Sequence, residues 1–152
     1  MERTVRVLAP ADFDDALVLY RELVGDIPVA QGLEGQSRFE QILGLEGTAI
    51  FGAEKAGRIV SMATVHVLPN MTFGGRPYSL IENVVTQKAH QGHGLGRAVM
   101  RSAIEHAWAQ DAYKIMLLSG RAFDAVGFYQ KLGFNSDDKH GLILRRAPQR
   151  RP

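Results

Sequence analysis

The segment Gln91-Gly92-His93-Gly94-Leu95-Gly96-Arg97 decides how the rest of the chain is read. Glycines at alternate positions let the backbone come close to a ligand and turn several N–H groups toward one point. Ahead of it, Ser79–Thr86 (SLIENVVT) is mostly apolar and reads as a strand. Behind it, Gly94–Gln110 carries Leu95, Val99, Ala103 and Ala107 on one stripe at helical spacing. Lys114–Ser119 (KIMLLS) is then a continuous apolar run, expected for a strand buried on both faces. Strand, glycine turn, helix and strand make a βαβ unit, whose crossover is nearly always right-handed. A glycine turn opening a helix joins free amides to the positive end of the helix dipole, and this predicts a phosphate or pyrophosphate site.

Working toward the N-terminus, Pro69–Pro77 with Gly74-Gly75 reads as an exposed loop. Thr48–Glu54 and Arg58–Leu68 form a hairpin through Lys55-Ala56-Gly57. Thr4–Leu8 is a first strand. From Pro10 the period becomes helical, with Phe13, Leu17, Tyr20, Leu23 and Val24 on one face. Gly25–Gly35 reads as a loop. Ser37 and Glu40 have capping-box spacing, which starts a short second helix bearing Phe39, Ile42 and Leu43. On the C-terminal side, Asp124–Leu132 is expected to be helical, with Gly133 closing it. Phe134 onward and Leu142–Arg146 are expected to supply one or two final strands. The fold class is α/β (α+β): a central mixed, mostly antiparallel twisted sheet containing one βαβ unit, with helices on both faces.

A chain of 152 residues accommodates one domain and no ordinary second one. We place that domain at residues 1–147, followed by a basic tail at 148–152. Apolar residues at 45% and charged residues at 22% are ordinary for a globular protein and argue against disorder or a coiled coil. No apolar run is long enough to cross a bilayer. We expect a soluble, cytoplasmic protein with no membrane partner. With no cysteine, disulfides, thiolate metal sites and cysteine nucleophiles are excluded. The net charge of +2 comes from 18 basic and 16 acidic residues, and four arginines (Arg145, Arg146, Arg150, Arg151) fall in the last eight positions. Without them 14 basic face 16 acidic residues, a net charge of −2. The body therefore lacks the basic face that nucleic-acid binding needs.

The spacing G-x-G-x-G does not fit the dinucleotide fingerprint G-x-G-x-x-G, and no G-K-[ST] follows for a Walker loop. The segment from Gln91 to Gly96 instead resembles the Q/R-x-x-G-x-G/A signature of the GNAT superfamily of acetyl-CoA-dependent N-acyltransferases. Ile81-Glu82-Asn83-Val84-Val85-Thr86 resembles that family's strand before the loop. Phe128-Tyr129-Gln130-Lys131-Leu132-Gly133-Phe134 is similar to its C-terminal F-Y-x-K-x-G-F segment. The match in order and spacing runs from about Glu82 to Phe134. Ile81–Val85 and Tyr113-Lys114 are similar to the branch containing glucosamine 6-phosphate N-acetyltransferase.

The resemblance implies acetyl-CoA as cosubstrate, no metal, and a small-molecule amine as acceptor. It implies that Val84, Val85 and Thr86 pair their backbone with the pantetheine arm. Gln91, Gly92, His93, Gly94, Leu95, Gly96 and Arg97 would hold the pyrophosphate, chiefly through backbone amides. Ser119, at the end of the KIMLLS run, is a further cofactor candidate, since open α/β sheets place ligands at strand ends. Family members usually carry a cofactor-contacting Asn seven residues before the tyrosine. Here Ala122 stands there, so Ser119 or Arg121 would have to replace the contact. Homodimers are common among relatives.

Two residues carry the implied chemistry. Glu82 is the candidate base, because an attacking ammonium has a pKa near ~10 and only the neutral amine is nucleophilic, with a structural hydrogen bond and a role in substrate binding as its alternatives. Its carboxylate on an otherwise apolar strand is costly unless paired or used. Tyr129 is the candidate donor to the departing thiolate, with core packing as its bland alternative; Phe128 is expected on the core face. His66, Asp124 and Ser119 are weaker candidates for chemistry. The expected reaction is direct attack of a primary amine on the thioester. The rival is a non-catalytic acyl-CoA-binding or sensing module.

Overall fold

A computed structural model describes residues 3–149, so Arg150 and Arg151 of the basic tail lie outside the described residues. The sheet has five strands in the order β1 (Thr4–Val7), β2 (Thr48–Lys55), β3 (Arg58–Leu68), β4 (Tyr78–Thr86) and β5 (Ile115–Met116). The first four pair antiparallel and β5 joins β4 in parallel. The helices are α1 (Phe13–Val24), α2 (Gly32–Leu43), a one-turn α3 (Thr72–Gly75), α4 (Leu95–Ala109) and α5 (Val126–Lys131). No helix among the described residues is long and apolar enough to cross a membrane.

Strand alternation divides the core into two layers. Ala49, Ala53, Ala63, Val65 and Ile81 point to α4, where Leu95, Val99, Met100, Ala103 and Ala107 meet them. Ile50, Ile59, Met62 and Val85 point the other way, to Ala16 and Leu19 of α1 and Phe39 of α2. Helices thus cover both faces, as the two periodicities required. Arg6 ties the entry of the fold together. Its guanidinium forks onto Asp12 at 2.8 and 2.9 Å and reaches Glu54 at 3.0 Å, joining β1, β2 and the turn into α1.

Four expectations need correction. First, α2 starts at Gly32, five residues before Ser37, which lies exposed inside the helix. Gly35 is buried there, and a Cβ on it would sit 2.5 Å from the Ala30 carbonyl. The glycine that reads as a loop residue is a close-contact residue of a helix. Second, the run Lys114–Ser119 is not buried on both faces. Ile115 and Leu117 pack against the α4 layer, but Leu118 is 54% exposed, because α1 covers β3 and β4, α2 covers β2, and neither reaches this edge. Third, no strand follows β5 among the described residues. Leu142 is 91% exposed, and β5 offers only two residues of edge for a further strand to pair with. Fourth, the last helix is shorter than Asp124–Leu132. A 3-10 turn at Arg121–Phe123 and a left-handed Asp124 (φ 45°) delay it to Val126.

Candidate functional site

The site forms where β4 outgrows β5. Only Ser79 and Leu80 of β4 pair with β5, opposite Ile115 and Met116. From Ile81 to Thr86, β4 continues with its other edge on β3 and, among the described residues, no strand pairs with it on the β5 side. In this stretch Thr64 opposes Glu82 and Met62 opposes Val85, so Asn83 and Val84 share the space opposite Ala63. That is a β-bulge, and Asn83 takes its left-handed conformation at φ 54°. The extra residue resets the alternation. Val84 then packs into the α4 layer and Val85 into the α1 layer. Both side chains turn into the body, and what β4 offers to the gap is main chain.

Beyond Thr86 the chain folds back over the sheet end. Gln87 N–H donates to the Val60 carbonyl at 2.8 Å, and the Gln91 side-chain amide donates to the Thr86 carbonyl at 3.1 Å. Gln91 therefore fastens the loop to its strand with its side chain. Gly92 and Gly94 are left-handed at φ 79° and 76°, which L side chains rarely adopt. Gly94 is the N-cap of α4 and has no side chain to cap it. The amides of Leu95, Gly96 and Arg97 have no intrahelical acceptor, as in any first helical turn, and here the helix dipole adds to them. His93 and Arg97 are exposed.

The fit of this site to a thioester nucleotide rests on three features. The free β4 edge offers amides and carbonyls to an extended amide-bearing arm. The capless α4 start suits a pyrophosphate. Ser119 Oγ, in the segment that continues β5, is buried with no hydrogen-bond partner among the described residues; Ser79 Oγ is in the same condition. A buried hydroxyl without a partner is costly, and a ligand in the gap would relieve it at Ser119.

The candidate chemistry falls on two elements. Glu82 is exposed, with no hydrogen bond or ion pair among the described residues. The bulge brings it to the surface, so the burial cost expected of a carboxylate on this strand does not arise. It stands in register with Thr64, which puts the two side chains on one face about ~5 Å apart at Cβ. Thr64 in turn hydrogen-bonds the phenol of Tyr20, which burial pushes above its ordinary pKa against the lowering effect of that bond. Tyr20 sat in the helical stripe and reads from sequence as core alone; nothing in its spacing points to Thr64. His66, two residue pairs further along, lies with Nδ1 2.8 Å from Thr48 Oγ1.

On α5 Phe128 does not take the core-face place expected of it. Phe128 is 36% exposed and lies over the first turn of α4, where a Cβ on Gly96 would be 3.6 Å from its ring. Tyr129 is half-buried against the α4-side core, with Phe128 and Phe134 edge-on at 5.1 and 6.1 Å between ring centroids. Asp124 is exposed in the turn ahead of that helix. Among the described residues no group of three or more His, Asp or Glu side chains is placed to hold a metal ion.

A family model described as the acetyltransferase (GNAT) family matches residues 17–134. A glucosamine 6-phosphate N-acetyltransferase from Trypanosoma brucei brucei is 31% identical over 140 residues, covering 89% of this chain and 90% of that one. The solved structure of a candidate acetyltransferase from Agrobacterium tumefaciens str. C58 aligns with a TM-score of 0.88 at 40% identity, covering 94% of this chain and 99% of that one. An acetyltransferase structure from Trypanosoma brucei aligns at 0.80 and 28% identity, covering 95% and 100%.

Proposed function

This chain belongs to the acetyltransferase (GNAT) family and is an acetyl-CoA-dependent N-acetyltransferase, and we propose that it transfers acetyl directly to the primary amine of a phosphorylated amino sugar. The observation that carries the chemistry is the free β4 edge from Ile81 to Thr86, which ends on the capless start of α4. In this reading the amides from Gly92 to Arg97 bind the pyrophosphate, and the backbone of Val84, Val85 and Thr86 aligns the thioester arm. Ser119 Oγ gains a partner from the same ligand. The acceptor class rests on the trypanosomal relative named above.

Glu82 takes the proton from the acceptor ammonium, directly or through water, and its exposed position at the bulge gives it access to a small substrate. The neutral amine attacks the thioester carbon, a β4 amide stabilises the oxyanion, and the second N–H proton of the adduct passes to water as the amide forms. As the C–S bond breaks, the Tyr129 hydroxyl donates to the departing thiolate and is re-protonated from solvent. Lacking cysteine, the chain has no thiol to carry an acyl-enzyme.

A panel of amines incubated with acetyl-CoA, read as free thiol released, tests this. Glucosamine 6-phosphate is expected to be turned over well above glucosamine, spermidine and amino acids. A preference for a non-phosphorylated amine overturns the acceptor assignment, and thiol release with none of them would favour the binding-module alternative.

A further inference from the structure

On the sheet face that α1 and α2 cover, the strands present apolar side chains: Ile50, Ile59, Met62 and Val85. Toward the C-terminal end of β3 the same face turns polar. Thr48, Thr64, His66 and Glu82 stand there, with Thr48 opposite His66 and Thr64 opposite Glu82. Polar groups on a sheet face are costly unless each finds a partner. Thr64 is buried and meets the phenol of Tyr20. His66 is half-buried, and its Nδ1 is bonded to Thr48 Oγ1 at 2.8 Å. Two groups are left without a partner among the described residues, the Glu82 carboxylate and His66 Nε2.

These two groups share one face. Glu82 and His66 are diagonal neighbours on adjacent strands, about 7–8 Å apart. The bond to Thr48 turns Nδ1 toward β2, which leaves Nε2 on the far side of the ring, toward β4. A ring held at one nitrogen presents the other in a fixed direction.

In the mechanism above, Glu82 receives the acceptor ammonium. We infer that His66 Nε2 holds the hydroxyl on a carbon next to the one bearing that amine, so that the site selects a 1,2-amino alcohol. The inference rests on the amino-sugar reading and names the residue that enforces it. An amine and a hydroxyl on adjacent carbons, with a hydrogen bond of ~2.8 Å at each end, span the distance between the two side chains. A hydroxyl both donates and accepts, so it satisfies Nε2 in either tautomer, whichever way the Thr48 bond runs. A second ammonium suits only the bare nitrogen, and a carboxylate only the N–H. No bond forms or breaks at His66; its part is binding.

Thiol release measured with glucosamine 6-phosphate, its 3-deoxy analogue and its 1,5-anhydro analogue decides this, since each analogue lacks one hydroxyl beside the amine. The wild-type protein is expected to lose at least tenfold in kcat/KM on one of the two. His66→Leu keeps the bulk and removes both nitrogens. It should raise KM for glucosamine 6-phosphate by a similar factor with kcat nearly kept, because the hydroxyl is held alike in ground and transition states. On the discriminated analogue it should cost little, and acetyl-CoA affinity should not move in either protein. Thr48→Val leaves His66 in place and frees only Nδ1, so it should shrink the preference severalfold. No penalty on either analogue in the wild type overturns the inference. A loss in His66→Leu or Thr48→Val that falls equally on all three acceptors does so too. A wild type that releases no thiol with glucosamine 6-phosphate overturns the acceptor reading and this inference with it. That failure is distinct, because the others require the sugar to be turned over with its hydroxyls ignored.

Discussion

Ser61 Oγ and Thr86 Oγ1 lie 2.7 Å apart, and that bond ties the last residue of β4 to β3 after β4 has already left β5. Ser61 is buried, so its hydroxyl needs the partner. The strand end therefore cannot swing into the gap it borders. A Cβ on Gly96 would come within 3.1 Å of the same Thr86 oxygen, so α4 is seated directly on this fixed point.

From that seating follows the behaviour of Gly96. Alanine there adds one methyl at a tight spacing and gains up to about 1 kcal/mol of helix propensity, so Gly96→Ala should bind acetyl-CoA nearly as the wild type does. Valine adds two further methyls between a held oxygen and the Phe128 ring, forcing α4 off its seat. Gly96→Val should weaken acetyl-CoA at least tenfold, about 1.4 kcal/mol, measured by titration on protein shown to be folded by circular dichroism. Equal affinity in the two variants would show that the seam does not position the pyrophosphate loop.

Glu82→Gln keeps the shape of the side chain and removes its capacity to take a proton. The rate should fall by ~10²–10⁴-fold near neutral pH, where the acceptor is almost wholly ammonium. As pH rises toward the amine's own pKa, the neutral fraction grows without help and the deficit should shrink. A pH–rate profile of wild type and variant checks this, and a parallel pair of curves would remove Glu82 from the chemistry.

The order of elements and the glycine loop were legible because period and spacing report them directly. What was not legible came from contacts between distant segments. Gly35 stands inside a helix at a point where a Cβ would meet the Ala30 carbonyl and the Phe13 ring, which no local pattern shows. The bulge at Asn83 is hidden because SLIENVVT alternates poorly whether or not a residue is looped out. Its effects, an exposed Glu82 and opposed Val84 and Val85, are the features that make the site. Leu118 is exposed because of where α1 and α2 end, a matter of tertiary packing that an apolar run cannot encode. Phe128 and Tyr129 are adjacent in sequence, and only the approach of α4 decides which of them faces the loop.

The Arg6–Asp12 pair gives a pH dependence with a definite sign. The Arg6 hydrogen bond holds the Asp12 carboxyl below its ordinary value, against burial, with the Ala9 N–H assisting. The native state therefore binds fewer protons there than the unfolded chain, so the contribution is full above the ordinary carboxylate range and is lost as pH falls through and below it. Arg6 is partly exposed, which keeps the effect on the order of 1 kcal/mol. Arg6→Met should be less stable than wild type by about that amount at pH 7, with the gap closing toward pH 3 in thermal melts. A gap that stays constant with pH would assign the loss to packing of the Arg6 stem.

Tyr129→Phe separates packing from chemistry on α5. The ring packs against the α4-side core and meets Phe128 and Phe134 edge-on, and phenylalanine keeps all of that. If the hydroxyl meets the departing thiolate, its loss acts on the transition state and leaves the bound ground state alone. The turnover number should then fall while acetyl-CoA affinity barely moves. A hydrogen bond to a charged group is worth about 1.5–3 kcal/mol, so the fall should be roughly ten- to a hundredfold. An alternative thioester whose thiol is more acidic needs less help in leaving, so it should narrow the difference between variant and wild type. Full turnover by a stable Tyr129→Phe protein would make Tyr129 a core aromatic. It would then leave the thiolate, whose free thiol has a pKa near ~8.5, to depart protonated by water.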